Sequence, residues 1–167
     1  MKLRYAFLLF FIAVLTSCTA PSIQDEEALF NNEDTLIESV EANASTVEKE
    51  VLDIVNSHRE EMGLNKLEFS NDTHKYANEH TDYMIAKGKI SHDNFNERAN
   101  SISNETGATI VKENVAKNYP KAEQALNGWL NSNSHKKTIE GDFTHTTISV
   151  KADKKGKLYY TQLFFKK

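Results

Sequence analysis

Apolar residues along this chain change period three times, and each change marks an element. Val47, Val51, Ile54, Val55, His58 and Met62 fall on one stripe at helical spacing. Ser45 and Glu48 stand three apart ahead of that stripe as a capping box, and Gly63 follows it, so the pattern predicts a helix starting at Ser45. Leu64–Ser70 brings the chain back, and Ser70 or Asn71 can cap a second helix that ends near Lys87. Tyr76, Ala77, Tyr83, Met84 and Ile85 supply its apolar positions, with His74 and His80 among them. A polar turn, "KISHDNF", precedes a short helix at "NERANSIS"; "TIVKENVAKN" then mixes an apolar run with a turn, with a short strand near Thr109–Lys112. Pro120 suits the first turn of a further helix whose buried face is Ala122, Ala125, Leu126, Trp129 and Leu130. At the end the period drops to that of a strand: "HTTISVKA" and "KLYYTQLFF" are joined by "DKKG" as a hairpin. Helices first and a hairpin last predict an α+β domain.

Ahead of these elements the pattern is of another kind. Lys2 and Arg4 precede an uncharged run from Tyr5 to Ser17, the layout of a secretory signal peptide and too short to span a bilayer comfortably. The run ends in "LTSC", with Cys18 the single cysteine of the chain. This resembles a bacterial lipobox, which implies a signal at 1–17, cleavage before Cys18 and lipidation of its thiol. An exported protein with one cysteine forms no internal disulfide. The chain is therefore expected to be exported to the cell envelope, with a membrane as its first partner through lipidated Cys18.

Charge divides the remainder. Cys18–Glu50 carries nine acidic residues and one lysine, whereas Val51–Lys167 carries 17 basic and 15 acidic residues. The expected organisation is an acidic flexible tether over 18–45 and one domain over 46–167, large enough for a real core and taken as a monomer. The near-neutral domain gives no reason to invoke nucleic acid.

Three polar positions carry candidate chemistry: His92, Glu113 and His135, spaced 21 and 22 residues apart. Two imidazoles and a carboxylate can hold a zinc-type ion or set a base beside a polarising group. They also suit three unrelated polar turns, and spacing alone does not bring them together. His58, on an apolar stripe, reads as a hydrogen-bonded core residue, and His145 as exposed. Lys136 and Lys137 read as a solvated turn or as an electropositive rim.

Five segments, in order, resemble the CAP superfamily (SCP-like; cysteine-rich secretory, antigen 5 and pathogenesis-related proteins), in its small bacterial lipoprotein branch. They are "IVNSHREEMGLNKLEFS", "ISHDNFNERA", "KENVA", "GWLNSNSHKKTI" and "YYTQLF", and the likeness runs from about Val51 to Phe165. It implies a three-layer α-β-α sandwich with a small antiparallel sheet. It also implies one shallow cavity lined by the positions matching His92, Glu113 and His135, with Ser91, Asn114 and Ser132 beside them. The family often has a second cavity glutamate where this chain has Ser132, so a zinc ion would need water or another side chain as fourth ligand. The sequence therefore predicts a non-enzymatic binding module for a lipid, sterol, divalent metal or protein partner, with no cofactor required. The alternative is a metal-assisted hydrolase on the same His/Glu set, since no activated serine or cysteine is visible.

Overall fold

The computed structural model describes residues 23–167, with side chains placed from Glu38 onward except at Val40 and Ala42. The signal-like segment 1–17 and Cys18 lie outside the described residues. The chain divides into two units, Met1–Asp34 and Thr35–Lys167.

The first helix, α1, spans Ile23–Glu61. This corrects the expected helix start at Ser45: the helix already runs through the part of the acidic stretch that is described, from Ile23 on. No glycine or proline interrupts Ile23–Glu61, and the acidic stretch is composed largely of residues compatible with a helix. The buried stripe also begins one turn earlier, with Ala44, Val47, Val51 and Val55 all in the core. Glu48 caps nothing in α1; its carboxylate accepts from the Val150 N–H at 3.0 Å and faces His74 at 3.3 Å.

After α1 come β1 (Glu68–Phe69), α2 (His74–Lys87), α3 (Phe95–Thr106), β2 (Ile110–Lys117), α4 (Ala122–Leu130), α5 (Asn133–Ile139), β3 (His145–Ala152) and β4 (Leu158–Lys166). Thr73, not Ser70 or Asn71, precedes α2. The strands form one sheet in the order β1-β3-β4-β2. Two-residue β1 runs parallel to β3 and the remaining pairs are antiparallel, so the sheet is mixed rather than antiparallel throughout. The short strand expected near Thr109–Lys112 is eight residues long and absorbs "KENVA", which pairs along β4 instead of turning. The strand signal is interrupted there by the charged and polar residues Lys112, Glu113 and Asn114.

The sheet has helices on both faces, as a three-layer sandwich requires. Strand alternation sends Leu158, Tyr160 and Phe164 to the side of α1 and α4, where they meet Val51, Val55 and Trp129. The intervening Tyr159, Leu163 and Phe165 face α2 and α3, against Ala77, Met84 and Ile102. Covered on both faces, β4 is buried at every position from Leu158 to Phe165 rather than at alternate ones, with the polar Thr161 and Gln162 included. Trp129 anchors the first layer: it meets Tyr160 edge-on at 6.2 Å and donates from Nε1 to the Val115 carbonyl at 3.1 Å.

A buried arginine ties the chain around α5. Arg59, at the end of α1, donates to the carbonyls of Asn65, Ile139, Gly141 and Phe143, at 2.6 to 3.4 Å. Burial draws its pKa down from the usual arginine value, partly offset by Asp142. Nearby His58 hydrogen-bonds Glu140 at 3.0 Å, half-buried rather than a core residue. His145 is likewise half-buried, stacked on Phe165 at 5.4 Å, where exposure was expected.

Candidate functional site

The site is built around β2, an edge strand of the sheet. Successive side chains on a strand point to opposite faces. Glu113 therefore turns toward the α2/α3 layer and Asn114 toward α5. Each recruits one histidine-bearing segment, and the two segments approach one another at the sheet edge.

On the first side, α2 ends at Gly88, whose left-handed backbone (φ 67°) closes the helix. Gly88 N–H bonds to the Ile85 carbonyl and Lys89 N–H to the Met84 carbonyl, a Schellman motif that turns the chain into the His92 loop. The loop is held by Asp93, whose carboxylate accepts from Tyr83 at 2.7 Å and Lys87 at 2.8 Å. Those contacts, Lys87 first, hold Asp93 far below the usual carboxylate range. Ser91 serves the loop with both its groups: its Oγ accepts from Asp93 N–H, and its carbonyl accepts from His80 Nε2 at 2.7 Å.

Glu113 is the electrostatic centre. Its Oε1 takes His92 Nδ1 at 2.8 Å and Arg98 Nη2 at 3.0 Å; its Oε2 takes Arg98 Nε at 2.9 Å and Nη2 at 2.8 Å. A fork of this kind is the strong form of a carboxylate pair. His80 Nε2 lies a further 3.7 Å from Oε1. Burial draws the His80 pKa down, against a pull upward from Glu113, and its Nε2 hydrogen is fixed by the Ser91 carbonyl. An ionised carboxylate only accepts, so the hydrogen between His92 and Glu113 sits on Nδ1. That leaves Nε2 as the outward nitrogen of a side chain that is 53% exposed.

On the second side, Asn114 Nδ2 donates to the His135 carbonyl at 3.1 Å and pins α5 to the strand. Ser132 precedes α5, its Oγ 3.2 Å from that of Ser134. His135 is half-buried; burial lowers its pKa, and the neighbouring His92 lowers it further. The two imidazoles are thus presented from opposite layers, within electrostatic reach of one another.

The structure joins His92 to Glu113 and ties the His135 carbonyl to the adjacent Asn114, but the expected metal set of His92, Glu113 and His135 does not fit a divalent ion. Both Glu113 oxygens are occupied by Arg98. Among the described residues no three histidine, cysteine, aspartate or glutamate side chains are arranged to hold a metal. A cation would have to displace one that the fold has already buried there. Two members of the site escaped the sequence reading, Arg98 and His80. Arg98 is the single basic residue of α3. His80 shares a buried stripe with Ala77, Thr81 and Met84, and a buried histidine at that spacing calls for a polar partner.

The family model of the cysteine-rich secretory protein family, CAP, matches residues 52–164. A membrane protein of Bacillus subtilis (strain 168), YlbC, is 36% identical over 129 residues; that stretch is 74% of this chain but 35% of the relative, so the chain spans about a third of its length. Among solved structures, a Bacillus anthracis (strain Ames) extracellular protein containing an SCP domain is similar with TM-score 0.65 and 26% identity, over 74% of this chain and 41% of that one. An outer surface protein of Borrelia burgdorferi shares the fold with TM-score 0.64 and 22% identity, over 71% of this chain and 91% of that one. Among the described residues no helix is long and apolar enough to cross a membrane.

Proposed function

Because this chain belongs to the cysteine-rich secretory protein (CAP) family, we propose that it is an exported, lipid-anchored envelope protein whose domain is a metal-free binding module. Export and anchoring are supported by the signal-like 1–17 segment and the "LTSC" stretch ending at Cys18. Relatives named as membrane, extracellular and outer surface proteins agree with that placement.

One observation carries the binding reading: Glu113 is neutralised internally by the Arg98 fork. A buried carboxylate without that partner would attract a metal or a proton. With it, the site offers the imidazoles of His92 and His135 to a ligand that exchanges hydrogen bonds with them. Calorimetric titration of the full chain with zinc tests this. No stoichiometric site is expected. Micromolar binding that disappears in both His92→Ala and His135→Ala would overturn it.

A second reading, metal-free hydrolysis, is favoured by the 2.8 Å contact between His92 Nδ1 and Glu113, which leaves Nε2 as a base able to activate water. Among the described residues no hydroxyl or thiol hydrogen-bonds to His92, so no protein nucleophile is set up. Turnover of p-nitrophenyl acetate separates the two. Saturable hydrolysis lost in His92→Ala supports the enzyme; a rate equal to that of free imidazole supports the binding module.

A further inference from the structure

The edges of the sheet are treated unequally. An edge strand presents unpaired N–H and C=O groups that invite another strand, and proteins commonly block them. On the outer side of β3, beyond the two residues paired with β1, the Val150 N–H is taken by the Glu48 carboxylate. On the outer side of β2, the Val115 carbonyl is taken by Trp129 Nε1. That bond shows which way the strand faces: Val115 directs its backbone groups away from β4, and by alternation so do Val111 and Glu113. In agreement, Asn118, of opposite parity, turns its N–H inward to the Leu158 carbonyl.

Among the described residues no side chain plugs the Glu113 main chain in this way. The residue is 8% exposed while its side chain is 1% exposed, so the surface that solvent reaches belongs to its main chain. The Glu113 side chain holds the His92 loop, and the adjacent Asn114 holds α5 at the His135 carbonyl. Next to Glu113, Lys112 is exposed on the strand, with Lys136 and Lys137 exposed on α5. Lys136 lies 3.8 Å from Glu140, whereas Lys112 and Lys137 have no ion-pair partner among the described residues. Asp93, the nearest loop carboxylate, is spent on Lys87.

We infer that the ligand of this site is an acidic peptide segment bound in extended form, adding as a short strand to the outer edge of β2 at Val111 and Glu113. Its main chain exchanges hydrogen bonds with those two residues, its acidic side chains meet Lys112 and Lys137, and His92 and His135 flank it. Trp129 sets where the added strand stops, because beyond Glu113 the next outward carbonyl is already used. Main-chain pairing supplies affinity in this mode and alternate side chains supply specificity. The inference rests on the binding-module reading and names its ligand class.

The test uses a capped nonapeptide of alternating threonine and glutamate, the same peptide N-methylated at its five central residues, and a threonine–lysine counterpart. Each is titrated into the isotope-labelled full chain and followed by amide NMR. The acidic peptide should bind, shift the Val111 and Glu113 amides and slow their exchange. N-methylation keeps every side chain and charge but removes the donors, and should weaken binding about tenfold or more. The lysine peptide should bind more weakly than the acidic one. Equal binding of the N-methylated peptide, or shifts away from β2, would overturn edge pairing while leaving the binding module intact. No acidic-peptide binding at about 1 mM would also overturn the inference. If that absence came with saturable ester turnover lost in His92→Ala, both it and the binding reading would fall.

Discussion

Replacing Arg98 by alanine is the sharpest perturbation of this domain. The change removes a guanidinium that makes three contacts with Glu113 within 3.0 Å and a fourth, from Nη1, with the Asp93 carbonyl at 2.7 Å. What it leaves is a carboxylate whose side chain is almost wholly inaccessible, with His92 as its remaining close partner. Breaking a buried pair from one side costs about 3–5 kcal/mol, chiefly because the other charge is stranded. His92 offsets part of this, so the lower end, about 3 kcal/mol, is expected. With a urea m-value of about 1.5 kcal/mol/M, the unfolding midpoint should fall by about 2 M. If stranding is the cause, removing the second charge as well should restore stability: Arg98→Met with Glu113→Leu should recover most of the loss, since apolar replacement of a buried pair is often neutral. Equilibrium urea unfolding of wild type, the single and the double variant measures all three. A single variant that loses under about 1 kcal/mol, or a double variant no more stable than the single, would refute the claim that Arg98 exists to neutralise Glu113.

Arg59→Ala should cost about 3–5 kcal/mol by stranding several loop carbonyls at once; Arg59→Lys should recover little, because an ammonium cannot reproduce the fork, and thermal unfolding checks both. Asn114→Ala removes one bond to the His135 carbonyl, so stability should fall by about 1 kcal/mol, with hydrogen exchange rising in α5 more than in α2. Burial depresses the pKa values of His80, His135 and His145, so the unfolded chain binds more protons. The stability these residues contribute is present above the ordinary imidazole value of about 6.5 and is lost as pH falls through their folded values. His80→Gln should therefore flatten the acid limb of the stability curve below about pH 6.5. His74 has the opposite sign: the Glu48 carboxylate 3.3 Å from its Nε2 raises its pKa, so its contribution is full below about pH 6.5 and disappears as pH rises through the folded value. His74→Gln should then cost stability near pH 6 and little near pH 9, as denaturation at the two pH values will show.

Elements with one strong period were legible in the sequence. The Val47–Val55 stripe, the Ala122–Leu130 face and the β3–β4 hairpin all appear in the structure where their spacing put them, whereas Met62, expected on the first stripe, falls just past α1 and is exposed. β2 was harder, because its middle is polar for a reason external to the strand: Glu113 and Asn114 each serve a different neighbouring layer. The start of α1 was misplaced because Ser45 and Glu48 have the spacing of a cap, and only the contacts of Glu48 with β3 and α2 reveal its other use. Of the site, Glu113 and both histidines stood out as polar positions in the sequence, and resemblance to the family put them in one cavity. Arg98 was not, since nothing local to "NERA" says that its guanidinium will meet a carboxylate 15 residues further along. Charge neutralisation inside a fold is a long-range fact, and local periodicity carries no trace of it.

The placement of Glu113 and Asn114 side by side on β2 also limits how this protein can evolve. Deleting or inserting one residue upstream in the strand would exchange their faces, aiming the carboxylate at α5 and the amide at Arg98. A slip of two would keep the faces but carry both groups about 6–7 Å along the sheet, away from His92 and from α5. Change of ligand in this lineage should therefore proceed by substitution and by lengthening of the loops on either side. The strand between them is a fixed ruler.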